Sequence, residues 1–151
     1  SEKRSKGEND KIINKKIFSA LKNNLKVIFC IGETSTQKRK KLTKKVLYNQ
    51  LNNGLKNIKN KKNIIIAYEP VWSIGSGLIP KIENLIDTTE TIKIFLTRKM
   101  KFKNPKVLYG GSVNPKNITL LRKVTNLDGF LIGGSSQNSN KFIDIIKKTF
   151  N

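Results

Sequence analysis

The sequence has 151 residues, no His, and 31 Lys or Arg against 10 Asp or Glu, which gives a formal net charge of +21. This length fits one domain with its own core, and 36% hydrophobic residues argue against a disordered chain. No apolar run approaches the roughly 18–20 residues that span a bilayer, no hydrophobic leader is visible, and the single Cys30 cannot form an internal disulfide. We therefore expect a cytoplasmic protein that does not associate with membranes.

The excess of positive charge has two interpretations. A concentrated basic patch is typical of nucleic-acid binding, because Lys and Arg displace counterions from phosphates. Here the lysines are spread along the whole chain and Arg occurs only four times, whereas base and phosphate readers favour the planar guanidinium. Lys, Asn and Ile share AT-rich codons, so we favour mutational bias in an AT-rich genome, and we do not expect a nucleic-acid partner.

Short apolar runs alternate with segments of helical periodicity along the chain. We predict strands that are buried on both faces at residues 26–31, 63–68, 106–109 and 129–132. We predict helices at residues 11–25, 43–58, 82–100, 117–124 and 140–150. This alternation implies an α/β fold with a parallel sheet and right-handed crossovers, in which loops after the strands form the site.

The loop after the second strand reads AYEPVWSIGSG and contains a candidate catalytic carboxylate. Glu69 stands at the strand end directly before Pro70, which restricts Glu69 to extended geometry. Trp72 is a bulky anchor, and the small glycine-bearing segment after it suits a lid that closes over a ligand. A plain βα turn with a solvated Glu is the alternative.

Paired glycines follow the third and fourth strands, in the sequences YGGSV and LIGGSS. Their backbone amides can approach a ligand closely, and amides near helix N-termini bind anions. One such pair is weak evidence, because tight turns also favour glycine. Two pairs after successive strands indicate a shared phosphate site, as barrels often form after strands seven and eight.

Four ordered motifs give the sequence a family resemblance. CIGET at residues 30–34, AYEPVWSIGSG at 67–77, YGGSV at 109–113 and DGFLIGG at 128–134 resemble triosephosphate isomerase, and SEKR at 1–4 resembles the segment after that family's fourth strand. The resemblance covers essentially the whole chain. It implies that residues 1–151 form one partial domain, the C-terminal half of a (β/α)8 barrel with strands five to eight and flanking helices.

The resemblance also implies roles for individual residues. Glu69 resembles the base that moves a proton between the two carbons beside the substrate carbonyl, and Glu2 resembles a carboxylate beside the site. The substrate contacts implied are the phosphate-binding Gly75, Ser112, Gly133 and Gly134, and the apolar clamp of Ile74 and Leu131. The residues implied to form or support the lid are Pro70, Trp72, Gly77 and Tyr109. Cys30 resembles a buried residue packed behind the site.

Three positions depart from the pattern of the family. Leu78 stands where a Lys often follows the lid, Ser135 replaces a usual Ala, and Lys93 stands where an Arg is usual. These differences put lid hinging and local ion pairs in doubt, and leave the family resemblance intact.

The resemblance implies a phosphorylated triose substrate, a role in glycolysis and gluconeogenesis, no metal or cofactor, and a homodimer. It also implies catalytic groups that these residues do not contain, because the family's electrophilic His would precede Ser1 and its Asn and Lys lie on the first strand. We therefore expect little isomerase activity from the chain alone, unless a separate N-terminal half completes it. The alternative is a non-catalytic basic remnant that binds phosphate or nucleic acid.

Overall fold

The computed structural model describes residues 3–4 and 7–150, and its helices and strands alternate nearly as predicted. The strands are β1 Val27–Ile31, β2 Ile64–Tyr68, β3 Val107–Tyr109 and β4 Gly129–Phe130. The helices are α1 Asp10–Lys22, α2 Ser35–Arg39, α3 Thr43–Gly54, α4 Ile82–Arg98, α5 Ile118–Leu121 and α6 Ser139–Phe150. Two 3₁₀ turns, Val71–Ser73 and Gly134–Gln137, follow β2 and β4.

The four strands form one parallel sheet in the order β1-β2-β3-β4. Strands that follow one another in chain order through right-handed crossovers place their helices on the same face. The predicted α/β class with four parallel strands and flanking helices is confirmed. The assignment of residues 1–151 to one partial domain remains a prediction.

The prediction that the strands are buried on both faces is wrong for this chain. On one face, Phe29, Ile31 and Ile66 pack into a core with residues of α3 and α4. On the other face, Ile28 is 46% exposed and Ile65 is half-buried. The helices pack against the first face, so burial alternates along β1, although Ala67 of β2 is fully buried on the other face.

Two element predictions also need correction. The helix α2 was not predicted, because all five of its residues are polar and none is buried. A reciprocal capping box forms it: Gln37 N donates to Thr34 Oγ1 (3.3 Å) and Thr34 N donates to Gln37 Oε1 (2.9 Å). The strand β4 ends at Phe130 rather than at residue 132: its residue pairing with β3 stops there, and only the Leu131 amide continues it, with a hydrogen bond to Tyr109 O.

Asp128 links the start of β4 to β3 and α4. Its carboxylate accepts hydrogen bonds from Val107 N (2.9 Å), Lys106 Nζ (3.0 Å) and Lys93 Nζ (2.8 Å), and its side chain is 17% exposed. Partial burial raises the pKa of Asp128, but these donors outweigh burial and hold the pKa below its usual value. Lys93, the departure from the family's usual Arg, therefore still provides a charged partner here.

We expect Asp128→Asn to lower the free energy of unfolding by about 1–3 kcal/mol at pH 7, because three donors lose a charged acceptor. Because the pKa of Asp128 is lower in the folded protein, its carboxylate stabilises the fold above the unfolded-state pKa of about 3.9. This stabilisation is lost as the pH falls through the folded-state pKa. The difference between wild type and variant should therefore shrink below about pH 4. Urea unfolding at pH 7 and pH 3 measures it.

Asp87→Asn is the matched control, because Asp87 forms only a surface ion pair with Lys44 at 3.7 Å. If Asp128→Asn lowers the free energy of unfolding no more than this control does, the structural role of Asp128 is contradicted.

Candidate active site

The predicted substrate-contacting residues line one cleft at the C-terminal edge of the sheet. The cleft has a volume of about 500 Å³ and is lined by residues of the loops after β2, β3 and β4. Its lining includes the predicted residues Glu69, Ile74, Gly75, Gly77, Ser112, Leu131, Gly133 and Gly134, and also Gly110, Asn114, Ser135 and Lys141. The structure therefore brings the predicted base and the predicted phosphate contacts together. Glu2 lies outside the described residues.

Glu69 is positioned by the sheet and by the glycine opposite it. Its amide donates to Ile31 O at 2.7 Å, which continues the pairing of β2 with β1 by one residue. A Cβ at Gly110 would lie 2.7 Å from Glu69 Cγ and 2.9 Å from its Oε1. A side chain at position 110 would displace the carboxylate, so glycine is needed for this close approach.

Cys30 lies against Glu69 at the end of β1. Burial, followed by the negative charge of Glu69 and a hydrogen bond to its carboxylate, raises the pKa of the Cys30 thiol to about 12. The thiol therefore stays protonated at neutral pH and donates to the Glu69 carboxylate. The predicted packing position behind the site matches this contact.

The amides of three glycines point to an anion site. Gly75, Gly133 and Gly134 donate no backbone hydrogen bond to the rest of the described chain. An added Cβ at any of them would meet no atom within 4 Å, so the space beside them is open. Unpaired amides that face a cleft attract anions. Gly75 also has a φ of +68°, which favours glycine at that position.

The loop after β2 is tied to the loop after β3. Gly77 N donates to Ser112 Oγ at 2.9 Å, and Ser112 N donates to Ser73 Oγ at 3.3 Å. Ser73 Oγ also lies 2.9 Å from the Tyr109 hydroxyl and donates to Leu78 O at 2.5 Å. The predicted lid segment therefore lies against the glycine loop, and Tyr109 contacts it through Ser73.

Ser112 and Ser135 use their hydroxyls differently. A hydroxyl that accepts a hydrogen bond, as that of Ser112 does from Gly77, still has a proton to donate to a ligand. Ser135, which replaces the family's usual Ala, donates to Val113 O at 2.8 Å. This departure links the two paired-glycine loops to each other.

Glu33 is a functional candidate that the sequence analysis missed. It is 1% exposed, and its carboxylate accepts hydrogen bonds from Trp72 Nε1 (2.9 Å) and from the Tyr68 hydroxyl (3.1 and 3.2 Å). Glu33 O also accepts from Val71 N at 3.0 Å. The signal available in the sequence was that Glu33 follows the end of β1, while Tyr68 and Trp72 lie at the end of β2 and just after it. Neighbouring parallel strands bring these positions together.

Trp72 is held on two sides. Glu33 binds the edge of its indole, and Lys38 Nζ lies 3.3 Å from the ring centroid, a cation–π contact. Lys38 belongs to the unpredicted helix α2, so this contact was also missed. Together they fix the start of the predicted lid segment next to Pro70, which is buried with a φ of −58°.

Within the described residues, no group of His, Cys, Asp or Glu is placed to hold a metal ion. None of the helices in that part of the chain is long and apolar enough to cross a membrane.

A carboxylate and backbone amides without a protein acceptor thus line one cleft at the C-terminal edge of a parallel α/β sheet. The family model for triosephosphate isomerase matches residues 1–149, and the chain belongs to this family. Triosephosphate isomerases of Thermodesulfovibrio yellowstonii, Mycoplasma mobile and Neurospora crassa are 42%, 41% and 41% identical to it. The matches cover 93%, 93% and 97% of this chain and 58%, 56% and 60% of those proteins. The chain thus spans somewhat more than half the length of these relatives.

We expect Cys30, the single cysteine, to react with iodoacetamide at pH 8 about a thousandfold more slowly than a free thiol, because its pKa is about 12 instead of 9.0. Glu69→Gln should speed the reaction, since it removes the adjacent negative charge. Mass spectrometry of the alkylated chain measures both rates. The urea-unfolded chain is the control, and folded protein that reacts as fast as this control would contradict the contact.

We expect Glu33→Gln to lower the free energy of unfolding by about 1–3 kcal/mol, because buried donors lose their carboxylate. Trp72 is the only tryptophan, so its emission should shift to longer wavelength as the indole loses its anchor. Urea unfolding and fluorescence spectra measure the two effects. Glu90→Gln, on the exposed face of α4, is the control. An unchanged spectrum in Glu33→Gln would refute the anchoring role.

Proposed function

We propose that this chain contains the base and the phosphate-binding loops of a triosephosphate isomerase. The reaction interconverts glyceraldehyde 3-phosphate and dihydroxyacetone phosphate in glycolysis and gluconeogenesis, and we assign it to the cytoplasm. The observation that carries the proposal is that Glu69 and the unpaired amides of Gly75, Gly133 and Gly134 line the same cleft.

Glu69 acts as the base in this proposal. Its carboxylate removes the proton from the carbon beside the substrate carbonyl, and the same group returns a proton to the neighbouring carbon of the enediolate. Such a transfer needs a base within hydrogen-bond reach and in fixed orientation. The amide bond to Ile31 O and the close approach to Gly110 support a fixed position for this carboxylate.

The phosphate group determines how the substrate is oriented. Backbone amides at positions 75, 133 and 134 and the hydroxyl of Ser112 can all donate to phosphate oxygens. Binding energy from this non-reacting group can be used to hold the carbon centre against the base. These amides are neutral and directional, so they select the position of an anion as well as its charge.

The segment after Glu69 acts as a lid in this proposal. Its contacts with Ser112 and Tyr109 support a closed arrangement, with Pro70 and Trp72 as its fixed end. Closure brings Ile74 and Leu131 over the cleft, and both line it. Water exclusion by these apolar side chains strengthens the electrostatic interactions inside and protects the enediolate.

The developing oxyanion of the enediolate needs a donor, and the 151 residues contain no His. Removal of one such donor typically costs about 10²–10³ in rate. We propose that a segment equivalent to the rest of the relatives' length supplies the electrophile and cation, as part of the same polypeptide or as a separate one. We further propose that the completed protein forms the homodimer of its family.

A hybrid protein tests the role of Glu69. We expect activity on glyceraldehyde 3-phosphate when this chain follows the part of the Thermodesulfovibrio yellowstonii relative that precedes the matched region. Glu69→Gln in the hybrid should lower kcat by about 10²–10⁴, the usual contribution of a positioned base. A coupled assay of dihydroxyacetone phosphate formation measures it.

Two controls accompany this assay. Glu83→Gln removes an exposed carboxylate of α4 and should leave kcat within about twofold, since Glu83 does not line the cleft. The 151-residue chain alone should be far slower than the hybrid. An active Glu69→Gln hybrid would exclude Glu69 as the base, and a chain that alone matches the hybrid would exclude the need for the further segment.

A further inference from the structure

A second cleft lies at the opposite edge of the sheet from the candidate active site. Its volume is about 590 Å³, and it is lined by residues that precede β1, β2 and β3 or begin them. Parallel strands bring the starts of their chains to one edge, so three segments that are distant in sequence become neighbours here. This cleft shares no lining residue with the site that contains Glu69.

The lining of this second cleft is strongly basic. Seven of its thirteen residues are lysines: Lys26, three within residues 59–62 and three within residues 101–106. No carboxylate is among the described residues that line it. In the described part of the chain, only Lys106 of these seven has a carboxylate partner, Asp128 at 3.0 Å. Lysines that are dispersed in the sequence are thus concentrated by the fold.

The backbone of the second cleft is held in place by its own packing. Phe102 is 6% exposed, and its amide donates to Leu96 O at 3.0 Å. Lys61 Nζ lies 5.9 Å from the Phe102 ring centroid, and Ile64 N donates to Lys61 O at 3.2 Å. The loops that present the lysines therefore exist before any ligand binds, which lowers the entropic cost of binding.

We propose that this second cleft binds a small multivalent phosphate anion, a short chain of linked phosphates. Like charges around a concave surface focus a positive potential, and an anion of high charge density relieves their repulsion. Lysine binds phosphate as a point charge, without the planar geometry that guanidinium requires. The site is independent of the isomerase function proposed above.

The lining favours this ligand over nucleic acid. It contains no Arg, and its one aromatic ring, Phe102, is buried instead of being available for stacking. Proteins that bind single strands combine a basic groove with exposed aromatic side chains. The second cleft supplies lysine charge and three asparagine side chains but no exposed ring, so a compact polyphosphate matches it better than a base-bearing strand.

Sodium tripolyphosphate is the probe for this proposal, in calorimetry and in thermal unfolding at low ionic strength. The variant Lys59→Gln, Lys62→Gln and Lys103→Gln removes three exposed lysines of the cleft and should weaken binding at least tenfold. The control variant Lys11→Gln, Lys15→Gln and Lys45→Gln removes the same charge from exposed positions elsewhere and should stay within about twofold. Tripolyphosphate should raise the Tm of wild type and control, but not of the cleft variant.

Three results would overturn the proposal. Equal loss of tripolyphosphate binding in the two triple variants would show that the overall positive charge of the protein, and not this cleft, binds the anion. Loss of binding in Ser112→Ala, with the lysines intact, would place the anion in the glycine-lined cleft. Tighter binding of single-stranded oligothymidylate than of tripolyphosphate, lost in the cleft variant, would assign the surface to nucleic acid. Circular dichroism confirms that each variant is folded before binding is compared.

Discussion

Three backbone hydrogen bonds extend the ladder of the sheet beyond its strands, and the candidate active site depends on them. Glu69 N donates to Ile31 O (2.7 Å), Gly110 N to Tyr68 O (2.9 Å) and Leu131 N to Tyr109 O (2.9 Å). Each bond fixes the first residue after a strand against the neighbouring strand. Glu69, Gly110 and Leu131 are thereby aligned along one edge before any side chain contributes.

Close packing at this edge leaves little freedom for substitution. A Cβ at Gly32 would lie 1.8 Å from Glu69 O, and one at Gly110 would meet the Glu69 side chain. The buried side chain of Gln50 in α3 pairs with both backbone polar groups of Gly32: it donates to Gly32 O (3.0 Å) and accepts from Gly32 N (2.9 Å). An unpaired buried amide would cost roughly 1–3 kcal/mol, so the Gln50 side chain stabilises the backbone that lies against Glu69.

The sequence predicted well those features that depend on local patterns. Short apolar runs and helical periodicity gave the strands and the long helices, and the four motifs gave the cleft residues and the family. It could not predict contacts between polar residues far apart in the chain, such as Glu33 with Trp72 or Lys38 over the indole. The five-residue helix α2 lacks an apolar face, so only its capping box, Thr34 with Gln37, could have revealed it.

The two anion sites that we propose, at opposite edges of the sheet, would act by different physical means. At the carboxyl edge, neutral amides of Gly75, Gly133 and Gly134 select an anion by direction. At the amino edge, lysines act through net charge, which salt screens over roughly 10 Å at 0.1 M. Binding through net charge tolerates ligands of different shape, whereas binding through directed amides does not. The proton transfer that we propose would need the directional kind, because the carbon beside the carbonyl would have to meet Glu69 in one orientation only.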